Sequence, residues 1–226
     1  MTALTPTAKQ SQPFYPSADS EPVAETYAHL YALLTTLEVL RQYLLGRQAT
    51  VLGNQFLYYA QGFPKLRVAP DVMVIFDVEP GGRDNYKIWE EGQVPVVIFE
   101  MTSPGTQQQD TGFKKTLYEQ LEVQEYWLFD PRREWIEEQL RGYRLRGESY
   151  VPITDSRSEP LQLRLAVEGE LISFYREDSG EKLLIPGELA EALQAEVKAR
   201  SCAEERAEQA EALLARYRER FGELPG

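Results

Sequence analysis

The hydrophobic positions change period several times along the chain, and each change marks an element. From about Ala24 to Leu45, Leu30, Leu33, Leu34, Leu37, Leu40, Leu44 and Leu45 recur at three- and four-residue spacings, which predicts an amphipathic helix stopped at Gly46. Residues 51–59 and 66–76 lose that period and are rich in aliphatic and aromatic side chains, so they read as strands. Within the second, Val72–Phe76 is continuously apolar, as in a strand covered on both faces. A polar stretch, 77–93, separates it from another apolar run, Val94–Phe99, which ends in Glu100. Residues 106–122 read as a helix, with Phe113, Leu117 and Leu121 as its buried stripe. Glu125–Asp130 reads as a third core strand closed by Pro131, and 142–147, 149–153 and 170–175 as a β meander on the sheet's edge.

The two ends differ from this middle. Residues 1–22 carry Pro6, Pro13, Pro16 and Pro22 among small polar residues and read as a flexible lead-in. Residues 187–226 read as a C-terminal helix. Leu189, Leu193, Glu196, Arg200, Ala203, Ala207, Ala210, Leu214, Tyr217 and Phe221 form an interrupted heptad-like seam along it. Such a helix either packs on a partner or on its own copy, or stands as a solvated terminal helix. Residues 23–186 between the two ends form the expected globular domain.

Composition narrows the function classes. One cysteine, Cys202, excludes an internal disulfide and a cysteine-rich zinc site. With neither a basic-then-apolar leader nor a membrane-length apolar stretch, the chain reads as a soluble, cytoplasmic protein with no membrane partner. A single histidine, His29, argues against histidine-based hydrolysis, and no Gly-rich strand–helix turn suggests a nucleotide loop. The net charge is −12, with −9 in residues 1–186, so there is no general basic stripe for gripping phosphate. That weighs against tight non-specific DNA binding but leaves a local site open.

Three carboxylates end the most apolar strands. Asp71 opens one run, Glu100 closes the next, and Asp130 closes the third. If the first two strands pair antiparallel, Asp71 and Glu100 meet at one edge of the sheet. The helix before the third strand makes a crossover, which brings Asp130 near the same edge. Two carboxylates beside an apolar core repel each other and lose hydration, a conflict that a divalent cation resolves. Mg²⁺, or Mn²⁺ in its place, needs one or two carboxylates and takes its remaining ligands from water and phosphate. Asp130 before Pro131 is most simply a strand terminator and stays outside the site. Asp71 after Pro70 also fits an ordinary turn.

The ordered string APD at 69–71, IFEMTS at 98–103, Asp110-x-x-x-Lys114, Tyr118 and EYWLFDP at 125–131 resembles the Uma-two family of putative restriction endonucleases, over roughly residues 23–153. The resemblance implies a PD-(D/E)xK nuclease. Its α/β fold would be a restriction-endonuclease-like core, a central mixed β-sheet flanked by helices, here with a C-terminal helical extension. Asp71 and Glu100 would be metal-binding carboxylates. The nuclease motif has a lysine two residues after the acid, where this chain has Thr102. The resemblance places that lysine on the following helix. There, Lys114 lies at the margin of the predicted buried stripe beside Tyr118, whereas Lys115 faces Glu119 and Glu122 as a solvated ion-pair residue. Lys114 is therefore the expected electrostatic partner, and Asp110, one turn earlier, pairs with it or caps the helix. Glu25 and His29 share a face of the first helix. An extra acid near the metal is one reading, and a dipole-favoured carboxylate with an ordinary half-buried histidine is the one preferred.

The expected function is Mg²⁺-dependent hydrolysis of DNA phosphodiester bonds by Asp71, Glu100 and Lys114. A homodimer assembled through the C-terminal helix would place two sites on two strands. The alternatives are a catalytically silent interaction protein on a nuclease scaffold and a hydrolase of RNA or another phosphodiester.

Overall fold

The computed structural model describes residues 13–18 and 25–222, and the chain divides into two compact units, Met1–Leu183 and Leu184–Gly226. The first unit opens with α1 (Tyr27–Tyr43), whose first turn is capped by the Thr26 hydroxyl accepting from the His29 N–H. Gly46, at φ +81°, lets the chain turn away after the helix. The buried stripe of α1 includes Ala32, Leu33, Leu37 and Leu40, whereas Leu30, Leu34 and Leu45 of the expected apolar face are exposed. Ala32 and Thr36 supply the close contacts instead, because the helix lies near the sheet.

The predicted strands at 51–59 and 66–76 each divide. They become β1 (Ala49–Gly53), β2 (Leu57–Tyr58), β3 (Arg67–Val68) and β4 (Val72–Phe76). The polar stretch then supplies β5 (Tyr86–Lys87) and the single turn α2 (Ile88–Glu91), followed by β6 (Val97–Met101). The expected helix at 106–122 begins as a π-helical turn, Gln109–Lys114, and continues as α3 (Lys115–Gln120). After β7 (Glu125–Phe129) come β8 (Leu140–Arg146), β9 (Ser149–Ile153), β10 (Arg157–Ser158), β11 (Leu163–Glu168) and β12 (Leu171–Arg176).

The main sheet is mixed and six-stranded, in the order β1-β4-β6-β7-β8-β9, with β6 and β7 the parallel pair. β4 and β6 run antiparallel with Val72 opposite Phe99, so Asp71 falls opposite Glu100. β8 and β9 form the predicted edge. Residues 170–175 do not join them: β12 pairs with β11 in a separate three-stranded sheet, β10-β11-β12, which the sequence reading missed. Phe174 reaches from it edge-on to Phe99, whose ring stacks on Trp127, and this joins the two sheets on one face of the core. The opposite face is tyrosine-rich, with Tyr118, Tyr126, Tyr143 and Tyr150 in successive ring contacts. Opposite Trp127, β8 carries Gly142, where a Cβ would meet the indole ring at 2.5 Å, so the ring needs a residue without a side chain.

Residues 13–18 fall in the stretch read as a flexible lead-in, yet they pack on the domain. The Tyr15 ring lies against Tyr58 and Trp89, and its hydroxyl accepts from the Gly62 N–H at 2.6 Å. The rest of that call, residues 1–12 and 19–22, lies outside the described residues. No helix among the described residues is long and apolar enough to cross a membrane. The second unit is one helix, α4 (Pro186–Phe221), with no buried residue.

Candidate active site

Beyond the carboxyl ends of the parallel strands β6 and β7, the sheet edge collects acidic side chains from four elements. Asp71 precedes β4 and Glu100 lies inside β6, one residue short of its end. Residues 71, 73 and 75 share a face with 98 and 100 by the pleat and the register. Asp71 Oδ2 accepts from the Met101 N–H at 2.7 Å, which locks its carboxylate over the neighbouring strand. Glu100 is held on both oxygens, by the Tyr118 hydroxyl at 2.8 Å and by Lys114 Nζ at 2.9 Å.

Lys114 also reaches Asp110 Oδ1 at 3.2 Å, so the lysine bridges two buried carboxylates. The π-helical turn makes this geometry. Its wider turn rotates residues before Lys114 relative to α3, so Asp110 is buried and Phe113, the expected core residue, is 55 % exposed. The predicted Phe113–Leu117–Leu121 stripe is thus wrong at its first position, although Lys114 still points inward. Among the described residues Lys115 makes no surface ion pair of the kind expected. Its ammonium sits 4.4 Å above the Tyr143 ring, while Glu119 accepts from the Tyr150 N–H. Thr102, where the nuclease motif has lysine, donates its hydroxyl to Asp110 Oδ2 at 2.7 Å. It therefore steadies the carboxylate that steadies Lys114. Its place two residues after Glu100 was the signal, read only as a missing lysine.

The start of α1 adds Glu25 and His29. His29 Nε2 lies 3.4 Å from Glu25 Oε2 and 3.6 Å from Asp71 Oδ2, close enough for ion pairing, and the latter is too long for a hydrogen bond. This Nε2 is buried and makes no hydrogen bond among the described residues, so the contacts there are electrostatic. The pair thus lies at the acidic cluster, closer to its chemistry than the preferred sequence reading had it. Asp130 is buried with Oδ2 accepting from the Trp135 and Ile136 N–H groups, which ties down the loop after β7. A second buried acid, Glu125, was not singled out from sequence. Arg144, the Trp127 indole and the Glu159 N–H satisfy it, and it joins the sheets structurally.

Charge in the cluster is unbalanced. Asp71, Glu100 and Asp110 face one lysine and one histidine. Burial, reinforced by Asp71 and Asp110, outweighs Lys114 and pushes the Glu100 carboxyl up to about 8. Burial acts to lower the Lys114 pKa, but Glu100 and Asp110 overcome it and the ammonium is held protonated. His29 behaves alike: burial lowers its pKa, and Asp71, Glu25 and Glu100 raise it further. A carboxyl kept from ionising by its neighbours is a donor set short of one positive charge, which suits a divalent cation. No cluster of three or more side-chain ligands occurs among the described residues, so any cation would complete its shell with water or substrate oxygens. A cleft of about 370 Å³ opens beside the cluster, lined by Glu25, His29, Thr102, Ser103, Asp130 and Arg132 among others.

A mixed sheet with a parallel central pair, flanking helices and this acidic edge defines a restriction-endonuclease-like α/β protein. The chain belongs to the Uma2 family, described as "Putative restriction endonuclease", whose model matches residues 22–174. One solved structure, a "putative nuclease belonging to DUF820 from Anabaena variabilis ATCC 29413", is 16 % identical, with a TM-score of 0.44, over 60 % of this chain and 72 % of that one. No curated protein sequence matches the chain.

Proposed function

We propose that this protein is a divalent-metal-dependent endonuclease that hydrolyses DNA phosphodiester bonds at the edge of its main sheet. The observation that carries the reading is the meeting of Glu100 and Asp110 on the half-buried ammonium of Lys114, with Asp71 opposite Glu100 across the strand pair, beside an open cleft. Asp71 and Glu100 would hold Mg²⁺ or Mn²⁺. Such an ion supplies Lewis-acid polarisation of the scissile phosphate and acidifies the attacking water. The protein's own groups do the rest. Met101 N–H and Tyr118 hold the two carboxylates in place before substrate arrives, so no reorganisation is needed during reaction. Lys114, already charged and fixed by Asp110, stabilises the negative charge that develops on the phosphate oxygens. Arg132 lines the cleft and would meet a flanking phosphate. The net charge of −12 argues against a long electrostatic footprint on DNA, so contact would be confined to the site itself.

The test is titration calorimetry with Mn²⁺ on the wild type, Asp71→Asn and Glu100→Gln, each checked for retained fold by circular dichroism, with and without a duplex. Binding is expected in the wild type and lost in both variants. In Lys114→Met, binding should persist while cleavage falls by about a hundredfold or more. No metal binding by the wild type, even with DNA present, would sink the proposal.

A further inference from the structure

The helix α4 carries an apolar seam along one face, with no residue buried within the helix's own unit. Its start is defined by Pro186 in the first turn and by Glu188 accepting from the Ile185 N–H at 3.1 Å. It runs for 36 residues, about 54 Å at the helical rise of 1.5 Å per residue. Leu193, Tyr217 and Phe221 are each more than half exposed. Long helices owe most of their stability to packing of an apolar face, so this seam calls for an occupant.

The order of side chains along the seam says which occupant fits. Taking Leu189, Glu196, Ala203, Ala210 and Tyr217 as d positions makes Leu193, Arg200, Ala207, Leu214 and Phe221 the a positions. A parallel, in-register pair would set Glu196 against Glu196 and Arg200 against Arg200, two adjacent layers of like charge in the seam. Reversing one copy about the midpoint between Ala203 and Ala207 removes both conflicts. Leu189 then faces Phe221, Leu193 faces Tyr217, Glu196 faces Leu214, Arg200 faces Ala210, and Ala203 faces Ala207. Every d position meets an a position, as antiparallel packing requires. Large side chains close the two ends while alanines let the backbones approach in the middle. Arg200 lies beside the small Ala210, with its guanidinium already paired to Glu204 at 2.9 Å on the outer flank. Glu196 lies within a turn of Arg218 of the second copy.

We infer that α4 is a homodimerisation element and that two copies pair through it as an antiparallel coiled coil. This stands apart from the nuclease proposal, because none of the residues involved belongs to the acidic cluster.

Sedimentation equilibrium of the full chain is expected to return twice the chain mass of 25.9 kDa. Leu193→Glu with Tyr217→Glu should return it to a single chain mass, with both residues exposed on a helix that contributes nothing to the buried core. Orientation is read by pulsed electron resonance on a spin-labelled Glu191→Cys chain, after Cys202→Ser removes the only native thiol. Antiparallel pairing sets the two labels about 42 Å apart along the axis, whereas parallel pairing brings them within about 20 Å. A monomer at 100 µM, a dimer that survives the double substitution, or the short label distance would each overturn the inference.

Discussion

Replacing Glu100 by glutamine should stabilise the metal-free protein, the opposite of what removing a buried, fully bonded side chain usually does. The carboxyl rises from an ordinary value of 4.5 to about 8 in the folded chain, because burial and two neighbouring acids outweigh Lys114. The folded state therefore binds the Glu100 proton more tightly than the unfolded state does. Stability is highest below pH 4.5 and declines as pH rises towards 8. At pH 7, holding that proton 2.5 units above its ordinary value costs about 3 kcal/mol. Glutamine removes this cost. It keeps an oxygen for Lys114, and its amide can donate to the Tyr118 hydroxyl, which then accepts. Fitting the amide's second N–H into the buried site gives back about 1 kcal/mol. The net gain is about 2 kcal/mol, or roughly 4–8 °C in Tm for a chain of this size. Differential scanning calorimetry in EDTA between pH 5 and 9 measures it. The gap between variant and wild type should widen from pH 5 to 8 and then level off. A variant less stable than wild type at pH 7, or a gap that does not change with pH, would refute the account of Glu100 as an uncompensated buried acid. Adding Mn²⁺ should raise the Tm of the wild type alone, so that the carboxylate destabilises the empty protein and is needed for the metal.

Two other substitutions test the parts of the sheet that hold the site. Asp130→Ala leaves the Trp135 and Ile136 N–H groups without their acceptor, so urea unfolding should show a loss of about 2–4 kcal/mol, with Mn²⁺ affinity unchanged. Gly142→Ala drives a methyl group into the Trp127 ring and should cost about 1–3 kcal/mol, seen as a lower urea midpoint and a shifted indole emission.

Much of the sheet was written in local pattern. The continuous apolar runs of β4, β6 and β7 need cover on both faces, and a helix between two of them makes a parallel crossover. Strand type and the parallel direction of β6 and β7 therefore followed from composition and spacing, whereas the antiparallel pairing of β4 and β6 was a condition that the register meets. Under that condition Asp71 meets Glu100, since an antiparallel pair returns to the edge it left. The α1 face was only partly legible, because Leu30 and Leu34 share the spacing of buried residues while solvent covers them. Helical period counts leucines without knowing how far the sheet extends. The second sheet was invisible because β11 carries its apolar residues in one-sided alternation, Leu163 and Leu165 buried and Arg164 exposed, in a stretch with no long apolar run.

What the sequence determined by itself was the three apolar strands and the carboxylates at their ends, because a continuous apolar run and the charge that closes it are local patterns. What only the tertiary structure decided was the company those acids keep. The π-helical turn that buries Asp110, the Thr102 hydroxyl that donates to it and the approach of His29 to Asp71 follow no helix or strand period in the sequence. Their geometry is set by how α1 and α3 settle on the sheet, a matter of packing over the whole core that no local spacing records.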